Sequence, residues 1–222
     1  MLLRDRVYQL LRDAILSCEL QPGQELREQI LAERYHVSRS PIRDSLLRLE
    51  QENLVTVLPR QGYRVNPISL SDAEDIFGLR LLLEPACASA AAKADDTALQ
   101  VLDRFRGIAD TERSESEFLE YNKAFHRAII DLSGNARMAA IAIEVDEQFQ
   151  RLMRISLQSY DYERVRGVFG DHEAIIDAIQ AHDSDLAARL SYDHAARAHA
   201  RIREGMQLRE QQQAGEPPKS GG

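Results

Sequence analysis

Three histidines stand where their chemistry could be joined. His126 follows Asn122 by one helical turn, on a segment whose inward stripe is Phe118, Asn122, Phe125 and Ile129. His172 falls in line with Phe169, Ile176 and Ile179, and His194 with Leu190 and Ala198. At helical periodicity each imidazole points to the interior of whatever its helix packs against. A single inward histidine is more often a hydrogen-bonded core residue than a ligand. Three converging from three helices are harder to dismiss. Neutral imidazoles bind zinc, nickel and similar ions, and facing helices of a bundle are a common place to assemble them. The cofactor these residues suggest is a divalent metal ion, zinc or nickel.

A second set of residues has a different chemistry. Val37 to Leu49 reads as a short helix with a polar, basic start and an apolar underside of Ile42, Leu46 and Leu49. Ser38 and Ser40 are both N-cap candidates, and Pro41 suits the first turn, where an amide is unpaired in any case. Arg39 sits where the chain enters the helix, and Arg43 lies off the apolar stripe. A helix start that is positive by dipole and by side chain suits an anionic backbone, and bidentate arginines suit guanine edges. The stretch reads as a DNA-recognition helix.

The elements that must position these residues can also be read. Arg4–Ser17 is amphipathic, Pro22-Gly23 breaks the chain, and a short helix over about Glu28–Tyr35 joins the recognition helix through His36-Val37. That is a helix-turn-helix. Leu54 to Leu58 and Tyr63 to Val65 are β-type runs around Pro59-Arg60-Gln61-Gly62, where Pro and Gly suggest a type I turn. The result is a hairpin wing with Arg60 and Gln61 at its tip. From Ser69 the pattern is helical, with segments expected near 71–93 (kinked at Pro85), 96–110, 115–132, 136–158, 162–182 and 184–211. The fold class expected is mainly α: a winged helix-turn-helix over 1–67, then an all-helical antiparallel bundle over 68–210. The polar tail 211–222 is expected to be disordered.

Charge supports the division. The 222-residue chain carries a net −8, yet residues 1–67 hold ten basic and nine acidic residues, a net of +1. The remainder is net −9, which by itself describes an ordinary solvated surface. Cys18 and Cys87 are too few for a disulfide framework and suggest free, buried thiols in a reducing cytoplasm. Arg4-Asp5-Arg6 interrupts any leader pattern, and no run approaches the ~20 apolar residues of a spanning helix. A cytoplasmic protein with no membrane partner is expected.

The motifs Pro22-Gly23-Gln24-Glu25-Leu26, Leu31-Ala32, Val37-Ser38-Arg39-Ser40-Pro41-Ile42-Arg43, Leu46…Leu49-Glu50 and Gly62-Tyr63-Arg64-Val65 occur in order. Together they resemble the N-terminal domain of GntR-type bacterial transcription regulators. One departure is His36, where that family usually has Gly; histidine tolerates a left-handed backbone better than most residues. Arg80…Glu84, Asn122 to His126, Ser133-Gly134-Asn135, His172 to Ile179 and His194 resemble the FCD ligand-binding domain of the FadR subfamily.

The resemblance implies a DNA-binding regulator, expected to be a repressor and not an enzyme, that pairs as a homodimer on a pseudo-palindromic double-stranded operator. Arg39 and Arg43 would read bases, Ser38 and Ser40 would touch phosphates, and the wing tip Arg60-Gln61-Gly62 would enter the minor groove. Three histidines and one aspartate hold the ion in metal-binding members, a set that maps onto His126, His172, His194 and Asn122. Asn stands here where Asp is usual, so the site lacks a negative charge and calls for an oxygen from a small molecule. Effectors of the family are commonly small organic acids, which makes Arg80, Arg127, Arg151 and Arg154 candidate contacts. His182 and His199 fall outside the ligand pattern and read as surface residues. Two rival readings are a metal-dependent hydrolase or dioxygenase fused to a DNA-binding head, and a metal-free dimerisation module or acyl-CoA sensor. The latter gives the interior histidines no role.

Overall fold

The computed structural model describes residues 2–107, 114–157 and 167–215. The chain divides into two compact units, Met1–Ser69 and Leu70–Gly222.

In the first unit, α1 (Leu3–Leu16) buries Val7, Tyr8, Leu11, Ala14 and Ile15, the i, i+4, i+7 face of an amphipathic helix. α2 (Glu28–Arg34) and α3 (Arg39–Gln51) follow, and α3 buries Ile42, Leu46 and Leu49 against the α1 face. The turn between α2 and α3 closes as a Schellman motif: Val37 N–H donates to the Ala32 carbonyl at 3.0 Å, and His36 takes φ +54°. Histidine thus occupies the left-handed position without breaking the motif. Asn53 ends α3 in the same way, with φ +55° and Leu54 N–H on Leu49 O at 2.9 Å. Across the α1–α3 seam the Tyr8 hydroxyl and Arg12 (2.8 Å) both meet the Glu52 carboxylate, and Arg48 lies 3.7 Å over the Tyr8 ring.

The wing is part of a three-stranded antiparallel sheet in the order β1 (Glu25–Leu26), β3 (Gly62–Val65), β2 (Val55–Leu58). Val55 pairs with Val65, Leu58 with Gly62, and Leu26 with Tyr63. The turn is not the expected type I. Gln61 N–H donates to Leu58 O at 3.0 Å, so Arg60 is its third residue, and its φ of +65° is the left-handed value of a type II turn. Gly62 lies beyond the turn, where β1 crosses close by. A Cβ there would meet the Leu26 carbonyl oxygen at 2.5 Å.

The second unit is helical: α4 (Leu70–Ala91), α5 (Asp96–Leu99), a 3₁₀ segment (Gln100–Phe105), α6 (Glu115–Leu132), α7 (Ala136–Leu157), α8 (Gly167–Gln180) and α9 (Ser184–Gly215). α4 is continuous through Pro85 and packs on α6, α7, α8 and α9, most extensively on α9. Buried alanines at 88, 91, 187 and 195 on these two helices allow their backbones to approach. The helix expected over 96–110 is instead one α-turn followed by 3₁₀ structure, and residues 108–110 lie outside the described chain. Leu99, Leu102 and Phe105 are the buried residues there, and a repeat of three fits three residues per turn. The start of the helix expected at 162 and the tail from 216 also lie outside the described residues, while α9 extends through Gly215. Ser114 and Glu117 close a reciprocal capping box that starts α6 at the expected residue 115. Cys18 and Cys87 are buried and free.

Gly62→Ala is expected to lower the unfolding free energy of the first unit by roughly 1–3 kcal/mol, because it adds both a clash and a strained φ. Gly23→Ala, at φ +81° with open space around it, should lose only about 1 kcal/mol. Denaturant unfolding of the two variants tests the ranking.

Candidate functional site

On the first unit, α3 turns Arg39, Ser40 and Arg43 to solvent while its underside is buried. Ser38 is the N-cap residue by backbone geometry, yet its side chain makes no capping hydrogen bond. The exposed hydroxyl and first-turn N–H groups therefore face outward with the positive end of the helix dipole. Arg39 is held by Glu28 of α2 at 3.0 Å. Arg60 and Gln61 are exposed at the wing tip, and Gly62 is the half-buried residue that lets β1 pass.

On the second unit α6, α8 and α9 bring His126, His172 and His194 together. All three are buried, and one ligand nitrogen from each lies within 4.8 Å of the others. Oxygens stand near the outer nitrogens. His194 Nδ1 donates to Asp171 Oδ2 at 3.4 Å, and His126 Nδ1 lies 3.8 Å from Glu84 Oε1, too far for a hydrogen bond. His172 Nδ1 meets the Tyr121 hydroxyl at 3.1 Å, and that hydroxyl donates to Phe105 O at 3.4 Å. Its oxygen is thus left to accept from His172. His172 then keeps its lone pair on Nε2. His172 Nε2 and His194 Nε2 face each other at 3.4 Å, and His126 Nε2 is buried with no hydrogen-bond partner among the described residues.

Converging imidazole nitrogens could hold a cation. Tetrahedral zinc, with bonds of about 2.0–2.1 Å to imidazole nitrogen, spaces neighbouring ligand nitrogens by ~3.3 Å. The 3.4 Å separation of the two Nε2 atoms agrees with that spacing. Burial holds His126 and His172 well below the ordinary histidine value, and Arg80 and the neighbouring imidazoles push the same way, so both rings are neutral, as metal binding requires. Outer oxygen partners of this kind orient metal-bound histidines. Phe125 stacks on His172 at 3.8 Å between centroids and fixes the plane of that ring.

Two small cavities flank the histidines. One, of ≈ 30 Å³, is bounded by Asn122, His194 and Arg201 together with an apolar wall of Phe118, Phe149, Met153 and Ile202. The other, of ≈ 20 Å³, is bounded by Arg80, Glu84, Cys87, His126, Asp146 and Ser191. Asn122 is 2% exposed, and its amide nitrogen has no acceptor among the described residues.

The four candidate arginines separate. Arg80 is 1% exposed, ion-paired with Glu84, and lies 3.3 Å over the Phe149 ring. It borders the second cavity. Arg127 points outward to Asp131 at 2.9 Å, away from both cavities. Arg151 is buried and bonds Gln148 at 3.2 Å, and Arg154 pairs with Glu120 at 3.3 Å; neither borders a cavity. Arg201 takes that place and was not singled out by its spacing. Asp171, Tyr121 and Asp146 were missed too, for nothing in their local pattern marks them as facing a histidine or one another. His182 is exposed, as expected. His199 is not: it is half-buried, stacked on Phe77 at 4.4 Å with its Nε2 2.8 Å from Glu74.

A winged helix-turn-helix unit and a helical unit with three clustered histidines are the parts of a DNA-binding transcription regulator. The chain belongs to the GntR family of bacterial regulatory proteins. That family's model matches residues 3–65, and the FCD domain model matches residues 75–197. The chain is 32% identical over 198 residues to the HTH-type transcriptional regulator in unstable DNA locus of Streptomyces ambofaciens, covering 86% of this chain and 81% of the relative. It is 25% identical over 195 residues to the HTH-type transcriptional repressor RspR of Escherichia coli (strain K12), covering 85% and 84%. Among solved structures, a putative transcriptional regulator GntR from Rhodococcus sp. RHA1 superposes with a TM-score of 0.72 at 25% identity, over 90% of this chain and 96% of that one. E. coli McbR/YncC shares the fold, with a TM-score of 0.76 at 19% identity over 96% and 99%. These are regulators and not enzymes, so the fused-enzyme reading is set aside. No helix among the described residues is long and apolar enough to cross a membrane.

Asp146 yields a pH prediction. Burial pushes its carboxyl up to about 7, with Glu84 adding to the rise and Arg80 and a hydrogen bond from Gln150 opposing it. The unfolded chain loses this proton near 3.8 while the folded chain keeps it to about 7. The residue's contribution to stability therefore falls as pH rises across that window. His126 and His172 act oppositely, since their stabilisation is lost as pH drops below the ordinary 6.5. The difference between wild type and Asp146→Asn isolates the aspartate: the variant's advantage in melting temperature should grow from pH 4 to pH 7. An advantage that shrinks over that range would contradict the assignment.

Proposed function

We propose that this regulator is a homodimeric repressor whose hold on DNA is set by a divalent ion and a small carboxylate bound in its helical unit. The observation that carries the sensing half is the convergence of three buried imidazoles, one ring nitrogen of each within 4.8 Å of the others, with oxygens near their outer nitrogens. His126, His172 and His194 would hold the ion through Nε2, with Asn122 beside them. Bound there, the ion supplies a fixed positive charge that anchors a carboxylate. The body's own residues shape the rest: Arg201 adds positive charge at the cavity, and Phe118, Phe149, Met153 and Ile202 exclude water. Repression is the reading that relatives named as repressors support, RspR and GlaR of E. coli among them.

On DNA, Arg39 and Arg43 read base edges, Ser38 and Ser40 touch phosphates, and Arg60 with Gln61 enters the adjoining groove while Gly62 holds the wing in shape. Glu28 pre-orients Arg39. A twofold operator calls for two chains. Leu79 and Leu82, 46% and 71% exposed on α4, offer an apolar surface for pairing the bodies. The acid need favour one arrangement of the dimer over another by only ~1–3 kcal/mol to change operator occupancy. A chain of this kind works in the cytoplasm, beside the DNA.

Two outcomes are expected. Chelator-treated protein should gain about 2.7 kcal/mol of stability at zinc ~100-fold above its Kd, read as a rise in melting temperature. No rise with zinc or nickel, and no metal by mass spectrometry of untreated protein, would remove the ion from this reading. Arg43→Ala should cost about 1–3 kcal/mol of specific binding in a gel shift with melting unchanged. Binding as tight as wild type would take base reading away from Arg43.

A further inference from the structure

The two arginines at the start of α3 are not electrically alike. Arg39 bonds the Glu28 carboxylate of α2 through Nη2 at 3.0 Å, whereas Arg43 has no carboxylate partner among the described residues. The pair does little for stability. The Arg39 side chain is 67% exposed, and an ion pair so open to water contributes at most about 1 kcal/mol. Its effect is on where the guanidinium stands and on the charge it presents.

Glu28 is placed to set both. It lies in the first turn of α2, where the positive end of the helix dipole favours a carboxylate, and its side chain is 20% exposed. Leu31 and Ala32, one turn on, are buried in the core of the unit and seat α2 against α3. Nη2 is thus tied to a carboxylate on a packed helix, while the guanidinium keeps further N–H donors for a base edge. Phosphates compete for the same arginine in any sequence, since nonspecific affinity comes from positive charge that displaces counterions. Glu28 has already neutralised this one. Arg39 therefore gains little electrostatically at a phosphate, but at a base edge it still makes its paired hydrogen bonds.

We propose that Glu28 is a specificity-determining residue, which reserves Arg39 for base edges by cancelling its attraction to phosphate. The protein gives up affinity for arbitrary DNA and gains discrimination. The inference rests on the assignment of Arg39 to base reading made above and adds the residue that enforces it.

The test compares the full chain with Glu28→Gln, which keeps an acceptor for Arg39 and removes the charge. Fluorescence anisotropy gives the affinity for two duplexes, one that wild type enriches from a randomised library and a scrambled one of equal composition, between about 50 and 200 mM salt. Glu28→Gln should bind the scrambled duplex about five- to tenfold more tightly at about 100 mM salt, with log K falling more steeply against log salt by about 0.9. Its affinity for the enriched duplex should change less than about twofold, so that discrimination falls about fivefold. Asp13→Asn makes the same change of charge at an exposed position on α1 and should leave both slope and discrimination unchanged. Arg39→Ala should lose discrimination by roughly tenfold or more. Melting temperatures check that each variant is folded. An equal gain on both duplexes, unchanged scrambled binding in Glu28→Gln, or the same loss of discrimination in Asp13→Asn overturns the proposal and leaves Arg39 as a base reader. Discrimination that survives Arg39→Ala, or a wild type that enriches no duplex, removes that assignment and this inference together.

Discussion

Imidazole lone pairs crowded together inside an apolar bundle constrain everything else in the helical unit. Each ring has given up most of its hydration, and the Nε2 atoms of His172 and His194 face one another at 3.4 Å. Such an arrangement persists only if the surrounding packing over-determines it. The stack of Phe125 on His172 and the oxygens of Tyr121, Asp171 and Glu84 on the outer nitrogens do that. Those oxygens are in turn held by the Phe105 carbonyl, Arg197 and Arg80. The polar network therefore runs outward from the centre to α4, to the 3₁₀ segment and along α9.

The first unit solves a simpler problem. Its α3 must present arginines to solvent and hold still, so the helix divides its residues between a fully buried underside and a basic upper face. Schellman closures at His36 and Asn53 end α2 and α3 without glycine, so the turn leading into α3 and its far end are both fixed. The wing depends on a single glycine, at the one place where a neighbouring carbonyl leaves no room for a Cβ. Arg60, like His36 and Asn53, takes a left-handed conformation, and it stands exposed at the wing tip. This region carries a net +1 against −9 elsewhere, the less repulsive of the two towards an anionic partner.

Periodicity alone determined which way each side chain leaves its own helix, and that was enough for the architecture. Ile42, Leu46 and Leu49 marked the buried side of α3, and the stripes through Asn122, His172 and His194 marked three residues as interior. The alternation around Pro59 to Gly62 marked the hairpin. These are local properties, written in spacings of two or three to four residues. The motif order then identified the family. What periodicity does not report is the residue facing a side chain across the interior. Only the tertiary structure decided that Arg127 points away from both cavities while Arg201 borders one, or that His199 packs on Phe77. Only the structure placed Asp171 and Tyr121 behind imidazoles far from them in sequence and buried Asp146 beside the site. The 3₁₀ segment and the type II turn belong to the same group, for each was set by what it packs against and not by intrinsic preference. A pairing between distant residues depends on how whole helices are seated, and no local spacing carries that information.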